Sequence, residues 1–235
     1  VSTRKYYAGR NLPVTWVGDG GAVRVENVVA RADGVEFDYV DGARCNHILL
    51  PLLGAHNAGN LALALALVDA DWTDAELARA LRDVRLPSGR LEPWRAASGV
   101  AFLHDAYNAN PSSMREALRL MAQITGPEGR SLILGEMREL GPAGDGLHRE
   151  VGEQAGRMGA KKLLAVGASA EHVRAGAIAA GMDGADIMCV AQDDLETGLR
   201  WLEPFLSAGD VCLVKGSRGV ALERVLSYFG ASRVE

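Results

Sequence analysis

From residue 14 to 53, apolar and polar positions alternate in short β-branched runs, VTWV, VRVENVVAR, VEFDYV and CNHILLPL, separated by GDGG, ADG and DG. Period-two alternation broken by Asp-Gly turns predicts an antiparallel meander. A continuous apolar stretch over 61–70, introduced by GAHNAGN, predicts a helix. Thr73 with Glu76 makes a capping box for a second helix reaching about Leu81. Residues 86–99 hold two prolines and two glycines and read as an interdomain linker, dividing the chain into 1–86 and 87–235.

Beyond the linker the pattern becomes strand alternating with helix. Apolar runs at 100–103, 131–134, 163–166, 187–190 and 211–214 alternate with helical stretches at 112–124, 147–158, 170–180, 195–205 and 220–229. This predicts an α/β fold with a doubly wound, mostly parallel sheet. Loops after three of the strands are unusually polar or glycine-rich: DAYNANP, GEMRELG and KGSRG. In a parallel sheet all three lie on the edge where such folds bind ligands.

Composition narrows the classes of function. With 48% hydrophobic and 23% charged residues the 235-residue chain has a globular make-up. Its net charge of −5 gives no general attraction to nucleic acid or anionic membrane, so neither is an expected partner. Cys45, Cys189 and Cys212 are far apart in or near apolar runs and read as buried thiols in a reducing compartment. The longest apolar run, 61–68, is too short to span a bilayer, and no secretory or lipidation motif opens the chain, so the expected location is cytoplasmic. The first residue is Val1, and the opening reads as the middle of a longer polypeptide. The five histidines have no metal-ligand spacing, and GxGxxG, GxSxG and P-loop patterns are absent, so no metal site is expected in this chain.

Several residues are candidates for chemistry, each with a plainer alternative. Lys215, Ser217 and Arg218 in KGSRG suit a carboxylate or phosphate, or make a solvated turn. Asn57 and Asn60 share a helix face where paired amides suit a purine edge; alternatively, Asn57 is a cap. Arg90, in SGRLE, can close on a phosphate or simply face water. Asp105 suits ribose hydroxyls or a turn, and Tyr107 a base, a ribose or a domain boundary. Glu136 and Glu139 suit an ammonium group or solvent.

Taken in order, these motifs resemble the Mur ligase superfamily. The shared pattern is GxHNxxN, a GR linker and an Asp at the next strand's end, here Gly54 to Asn60, Gly89 with Arg90, and Asp105. YNANPSSM at 107–114, LGEMRELG with a following His148, and VKGSRG resemble the member that adds D-alanyl-D-alanine to UDP-N-acetylmuramoyl tripeptide. The resemblance implies an ATP-dependent amide ligase of peptidoglycan synthesis that works through an acyl phosphate. Residues 1–86 would be the end of its central ATP-binding domain and 87–235 its C-terminal domain.

It further implies that Asn57, Asn60, Arg90, Asp105 and Tyr107 meet ATP, and that Asn108, Asn110, Lys215, Ser217 and Arg218 meet the incoming dipeptide. The family's P-loop, Mg²⁺-binding Glu and carbamylated Lys would lie upstream of Val1. The chain alone is therefore expected to hold no complete catalytic set and to be inactive without its missing portions. A sister ligase, such as folylpolyglutamate synthase or the diamino-acid-adding enzyme, is the alternative activity, and a non-catalytic binding module the alternative class.

Overall fold

Separate stretches of the chain bury separate sets of apolar side chains among the described residues, giving compact units at Val1–Arg85 and Leu86–Glu235. The structure, a computed structural model, describes residues 15–18, 20–31, 33–68, 72–85 and 87–234.

In the first unit β1 (Val23–Arg31), β2 (Gly34–Asp41) and β3 (Arg44–Leu50) form the expected antiparallel meander. Alternation along β2 buries Val35, Phe37 and Tyr39 and turns Glu36 and Asp38 outward. The buried face packs with Ile48 and Leu50 and with Ala58, Ala62, Leu77 and Leu81 of two helices, α1 (His56–Leu67) and α2 (Asp74–Arg82). The Thr73–Glu76 capping box opens α2 as its spacing predicts.

Helix α1 starts at His56, earlier than expected, so GAHNAGN lies largely inside the helix. The side-chain amide of Asn57 donates to the Leu53 carbonyl at 2.8 Å, and its oxygen accepts from Asn60 at 3.0 Å. These bonds satisfy the polar groups within the first turns, and Asn57 is not the cap. Val14 of the first expected strand and residues 69–70 of the expected helix lie outside the described residues. Cys45 is exposed on β3, contrary to its reading as a buried thiol; the turn sets its register on the outer face. Cys189 and Cys212 are half-buried and buried, and burial pushes both thiols up, Cys189 to about 12.

The second unit is a seven-stranded sheet of order β10-β4-β5-β9-β6-β7-β8. β5 (Ala101–Asp105), β9 (Val211–Lys215), β6 (Arg130–Gly135), β7 (Lys162–Val166) and β8 (Ile187–Val190) are parallel neighbours. The chain steps outward from β5 through β6 and β7 to β8, then returns to insert β9 beside β5. Right-handed crossovers therefore place α3 (Pro111–Ile124), α4 (Gly144–Arg157) and α5 (Ala170–Ala179) on one face. The other face takes α6 (Leu195–Leu202) and α7 (Arg224–Tyr228). Helices α4 and α5 cross closely because Gly152 and Gly176 meet the opposing backbone, where a Cβ would overlap the carbonyls of Val173 and Arg149.

The expected linker contains a strand. β4 (Glu92–Arg95) pairs antiparallel with β5, and β10 (Ser232–Arg233) pairs antiparallel with β4. Its sequence hid it because Glu92, not an apolar residue, is the side chain buried there, and Pro93 interrupts the pattern. Helices α6 and α7 are shorter than expected. Pro204 turns the end of α6 into a 3-10 segment, Glu203–Phe205. Ahead of α7, another 3-10 turn, Arg218–Val220, and left-handed Ala221 intervene. KGSRG thus enters a tight turn and not an open helix N-terminus.

Candidate functional site at the strand ends

The site begins with a pairing that the parallel register imposes: Asp105 at the end of β5 lies opposite Lys215 at the end of β9. Only 1% of the Lys215 side chain is exposed. Its ammonium lies 2.6 Å from one Asp105 carboxylate oxygen and donates to the Asn108 carbonyl at 3.2 Å. Burying an ammonium without such partners costs several kcal/mol, on the order of the desolvation penalty of a single ion. The pair is therefore a precondition for this strand end.

The other Asp105 oxygen accepts from the Leu91 amide at 3.2 Å, which requires Leu91 to take a left-handed conformation, φ 50°. Just before it, Gly89 at φ 79° offers its carbonyl to the Tyr107 amide at 3.0 Å. A Cβ at Gly89 would stand 3.1 Å from the Tyr107 nitrogen. These bonds fix the turn that carries Arg90, whose guanidinium lies 4.5 Å from the centre of the Tyr107 ring. Arg218 approaches the same ring at 5.7 Å, and the tyrosine is 41% exposed.

Beneath the turn lies Glu92, which sequence reasoning missed. It is 5% exposed and accepts from the Ser88 hydroxyl at 2.9 Å and the Gly89 amide at 3.2 Å, with Arg233 of β10 at 3.0 Å. Burial pushes its carboxyl up, but the Gly89 and Ser88 hydrogen bonds and the Arg233 charge outweigh this and hold it below the usual carboxylate range. His104 is buried beside it, Nδ1 being 3.6 Å from the carboxylate, with neither ring nitrogen hydrogen-bonded. No sequence signal marks a buried carboxylate in a four-residue strand.

The turn after β6 is braced from two sides. Neutral His148 donates from Nδ1 to the Gly144 carbonyl at 2.7 Å and accepts the Met137 amide on Nε2 at 2.8 Å, so the geometry selects the Nδ1–H tautomer. Arg138 donates to Glu136, Gln192 and the Gly219 carbonyl at 3.1–3.2 Å, joining the turns after β6, β8 and β9. The Ser217 hydroxyl is buried and accepts from the Arg138 amide at 3.0 Å. Glu139, Leu91 and Ala221, three non-glycine residues with positive φ, all lie in these rim turns. Such strain persists only where surrounding bonds over-determine it.

The expected residues therefore divide. Arg90, Asp105, Tyr107, Asn108, Lys215 and Arg218 share one rim, although Lys215 is buried and occupied by protein partners. Ser217 serves the Arg138 backbone. Asn110 caps α3, accepting from Ser113 at 2.9 Å, and Asn108 accepts from the Ala109 amide at 2.9 Å. Asn57 and Asn60 are bonded to each other in the first unit. Further along the rim, beyond β6, β7 and β8, a cleft of about 450 Å³ has Glu136, Glu171 and Gln192 on its walls. Among the described residues no group of three His, Cys, Asp or Glu could hold a metal ion, and no helix is long and apolar enough to cross a membrane.

Fold and rim together define a doubly wound α/β domain that presents arginines, a carboxylate and an open aromatic ring at its strand ends. The chain belongs to the Mur ligase family: the model described as Mur ligase, glutamate ligase domain, matches residues 89–218, more than half of the chain. It is 33% identical over 201 residues to the UDP-N-acetylmuramoyl-tripeptide–D-alanyl-D-alanine ligase of Escherichia coli (strain K12), covering 85% of this chain and 42% of that protein. The ligase of the same name from Synechocystis is 33% identical over 228 residues, 96% of this chain and 46% of that one. The chain thus spans less than half the length of these curated relatives. Among solved structures, MurF ligase from Thermotoga maritima in complex with ADP superposes with a TM-score of 0.75 at 21% identity, over 96% of this chain and 50% of that one. The likeness extends the shared fold over both units.

Proposed function

We propose that this chain is the C-terminal portion of a cytoplasmic, ATP-dependent ligase that joins D-alanyl-D-alanine to UDP-N-acetylmuramoyl tripeptide in peptidoglycan synthesis. Residues 1–86 are read as the end of the central ATP-binding domain and 87–235 as the C-terminal domain. One observation carries the reading: the convergence of Arg90, Asp105 and Tyr107 on a single rim, in a chain whose curated relatives bear that ligase's name.

In the reaction the tripeptide's terminal carboxylate attacks the γ-phosphorus of ATP and ADP departs. The dipeptide's amine then attacks the acyl phosphate, a tetrahedral intermediate forms, and phosphate leaves as the amide bond closes. Catalysis here is largely positioning and stabilisation of concentrated negative charge. Arg90 contributes a guanidinium fork that suits phosphate. Asp105, held by Lys215 and the Leu91 amide, keeps lone pairs for ribose hydroxyls, and Tyr107 offers its face to the nucleotide. Asn60, with Asn57 locking its side chain, is read as the adenine-facing amide.

Asn108 and Asn110 stay on the acceptor's side, while Lys215 and Ser217 build the rim from below. The cleft walled by Glu136 and Glu171 suits the dipeptide's ammonium. Mg²⁺ would neutralise the transferring phosphates. Its ligands are expected outside this chain.

The test is phosphate release by the full-length protein containing this sequence. Release from ATP should require both UDP-N-acetylmuramoyl tripeptide and D-alanyl-D-alanine. Release indifferent to the dipeptide, or supported equally by glutamate or a diamino acid, overturns the assignment in favour of a sister ligase.

A further inference from the structure

We propose that Arg218 and Arg90 form one clamp for the terminal phosphates of a nucleoside polyphosphate, with Tyr107 as the ring that orients both. Arg218 then serves the phosphates and not the carboxylate of the acceptor dipeptide. The inference rests on the nucleotide reading above and extends it to a residue from a different turn.

Arg90 leaves the turn before β4 and Arg218 the turn after β9, yet both guanidiniums lie on Tyr107, at 4.5 and 5.7 Å from its centre. Both residues are exposed, and neither has a carboxylate partner among the described residues. Their neighbours differ: Arg138 is tied to Glu136, Gln192 and Gly219, and Arg224 to the carbonyls of Ala221 and Gln192. The strand-end carboxylate of this rim, Asp105, already faces the Lys215 ammonium and the Leu91 amide. Its charge is neutralised from below, and the two arginines are left uncompensated.

Two cations gathered on one ring repel each other until an anion enters between them. A carboxylate supplies one charge, whereas the end of a polyphosphate supplies two or more and presents the oxygen geometry that guanidinium forks match. The backbones are fixed in advance. Gly89 and Glu92 set the Arg90 turn, while Ser217, bonded to the Arg138 amide and the Glu136 carbonyl, sets the Arg218 turn. Stacking on Tyr107 limits the side chains as well, which lowers the ordering cost of binding.

The experiment is an amide-detected NMR titration of the full-length protein containing this sequence with adenosine, ADP, ATP, tripolyphosphate and D-alanyl-D-alanine. It compares wild type, Arg90→Gln, Arg218→Gln and the double variant. Both side chains are exposed, and the unliganded spectra report directly that the fold is kept. Each single change should weaken ADP, ATP and tripolyphosphate by roughly ten- to a hundredfold, the range for one charge-assisted bond, and leave adenosine unaffected. The double variant should lose less than the product of the single losses, as expected of groups sharing one ligand.

If Arg90→Gln weakens polyphosphates while Arg218→Gln titrates like wild type, the clamp falls and the nucleotide reading stands. If Arg218→Gln instead abolishes a response to D-alanyl-D-alanine, the clamp also falls, and Arg218 belongs to the acceptor. If no nucleotide or polyphosphate perturbs the Tyr107 region of the wild type, clamp and nucleotide reading fall together.

Discussion

Asp105 ties two strand ends to the turn before β4. One of its oxygens meets the nearly inaccessible Lys215 ammonium and the other the Leu91 amide, so it couples the ends of β5 and β9 to the turn that aims Arg90. Asp105→Ala would strand the ammonium in the interior. The expected loss is about 3 kcal/mol or more in urea denaturation, because breaking a buried pair leaves a charge without compensation. A loss below about 1 kcal/mol would mean that water reaches Lys215 and that the pair does not support the rim. At this scale the sequence was informative about identity and less so about employment. KGSRG named Lys215 and Ser217 as anion-binding candidates, but the fold commits the first to Asp105 and the second to the Arg138 amide. Only contacts distant in sequence could reveal that, and Glu92 and Arg138 were overlooked for the same reason.

The β2–β3 ladder is where pH should be felt. His47 lies 2.8 Å from Asp38 and 2.7 Å from Glu36 on the outer face of the meander. Hydrogen bonds to Asp38 and then Glu36 raise its pKa above 6.5. The Glu36 carboxyl is lowered from 4.5, first by Arg31 and then by His47, and Asp38 from 3.8, first by Asn27 and then by His47. A raised imidazole pKa lends stability that is complete below 6.5 and disappears as pH climbs through the native value. Lowered carboxylates lend stability that is complete above their ordinary values and disappears as pH falls through the native ones. The cluster therefore contributes most between 4.5 and 6.5. Thermal melts of wild type and His47→Gln should differ most in that window and converge toward alkaline pH. A difference that grows from pH 7 to 9 would contradict the assignment.

The elements themselves were largely legible. Strands β5 to β9 and helices α3 to α5 declared themselves through apolar runs of the right length, with α3 starting one residue ahead of the expected 112, at Pro111. Strand β4 did not, since its inward side chain is a carboxylate satisfied by the turn at 88–89 and by Arg233 of β10.

For the molecule as a whole, the separation of the two cores has a direct consequence. The residues that fill one core all come from 17–84, and those that fill the other from 94–231. Residues 86–235 expressed alone should therefore unfold cooperatively, with a midpoint within a few degrees of a transition seen in the complete chain. A fragment that binds hydrophobic dyes and melts without cooperativity would show that the second core is not self-sufficient.

The sequence by itself determined the α/β class, the meander, the place where the pattern changes, and which polar loops follow the parallel strands. Those properties depend on local periodicity and turn chemistry, which neighbouring residues carry between them. Tertiary structure alone decided that the supposed linker joins the sheet, that Lys215 is a buried support, and that Arg90 and Arg218 share one tyrosine. Each of these depends on which strands become neighbours, and strand order brings together residues that no local pattern relates.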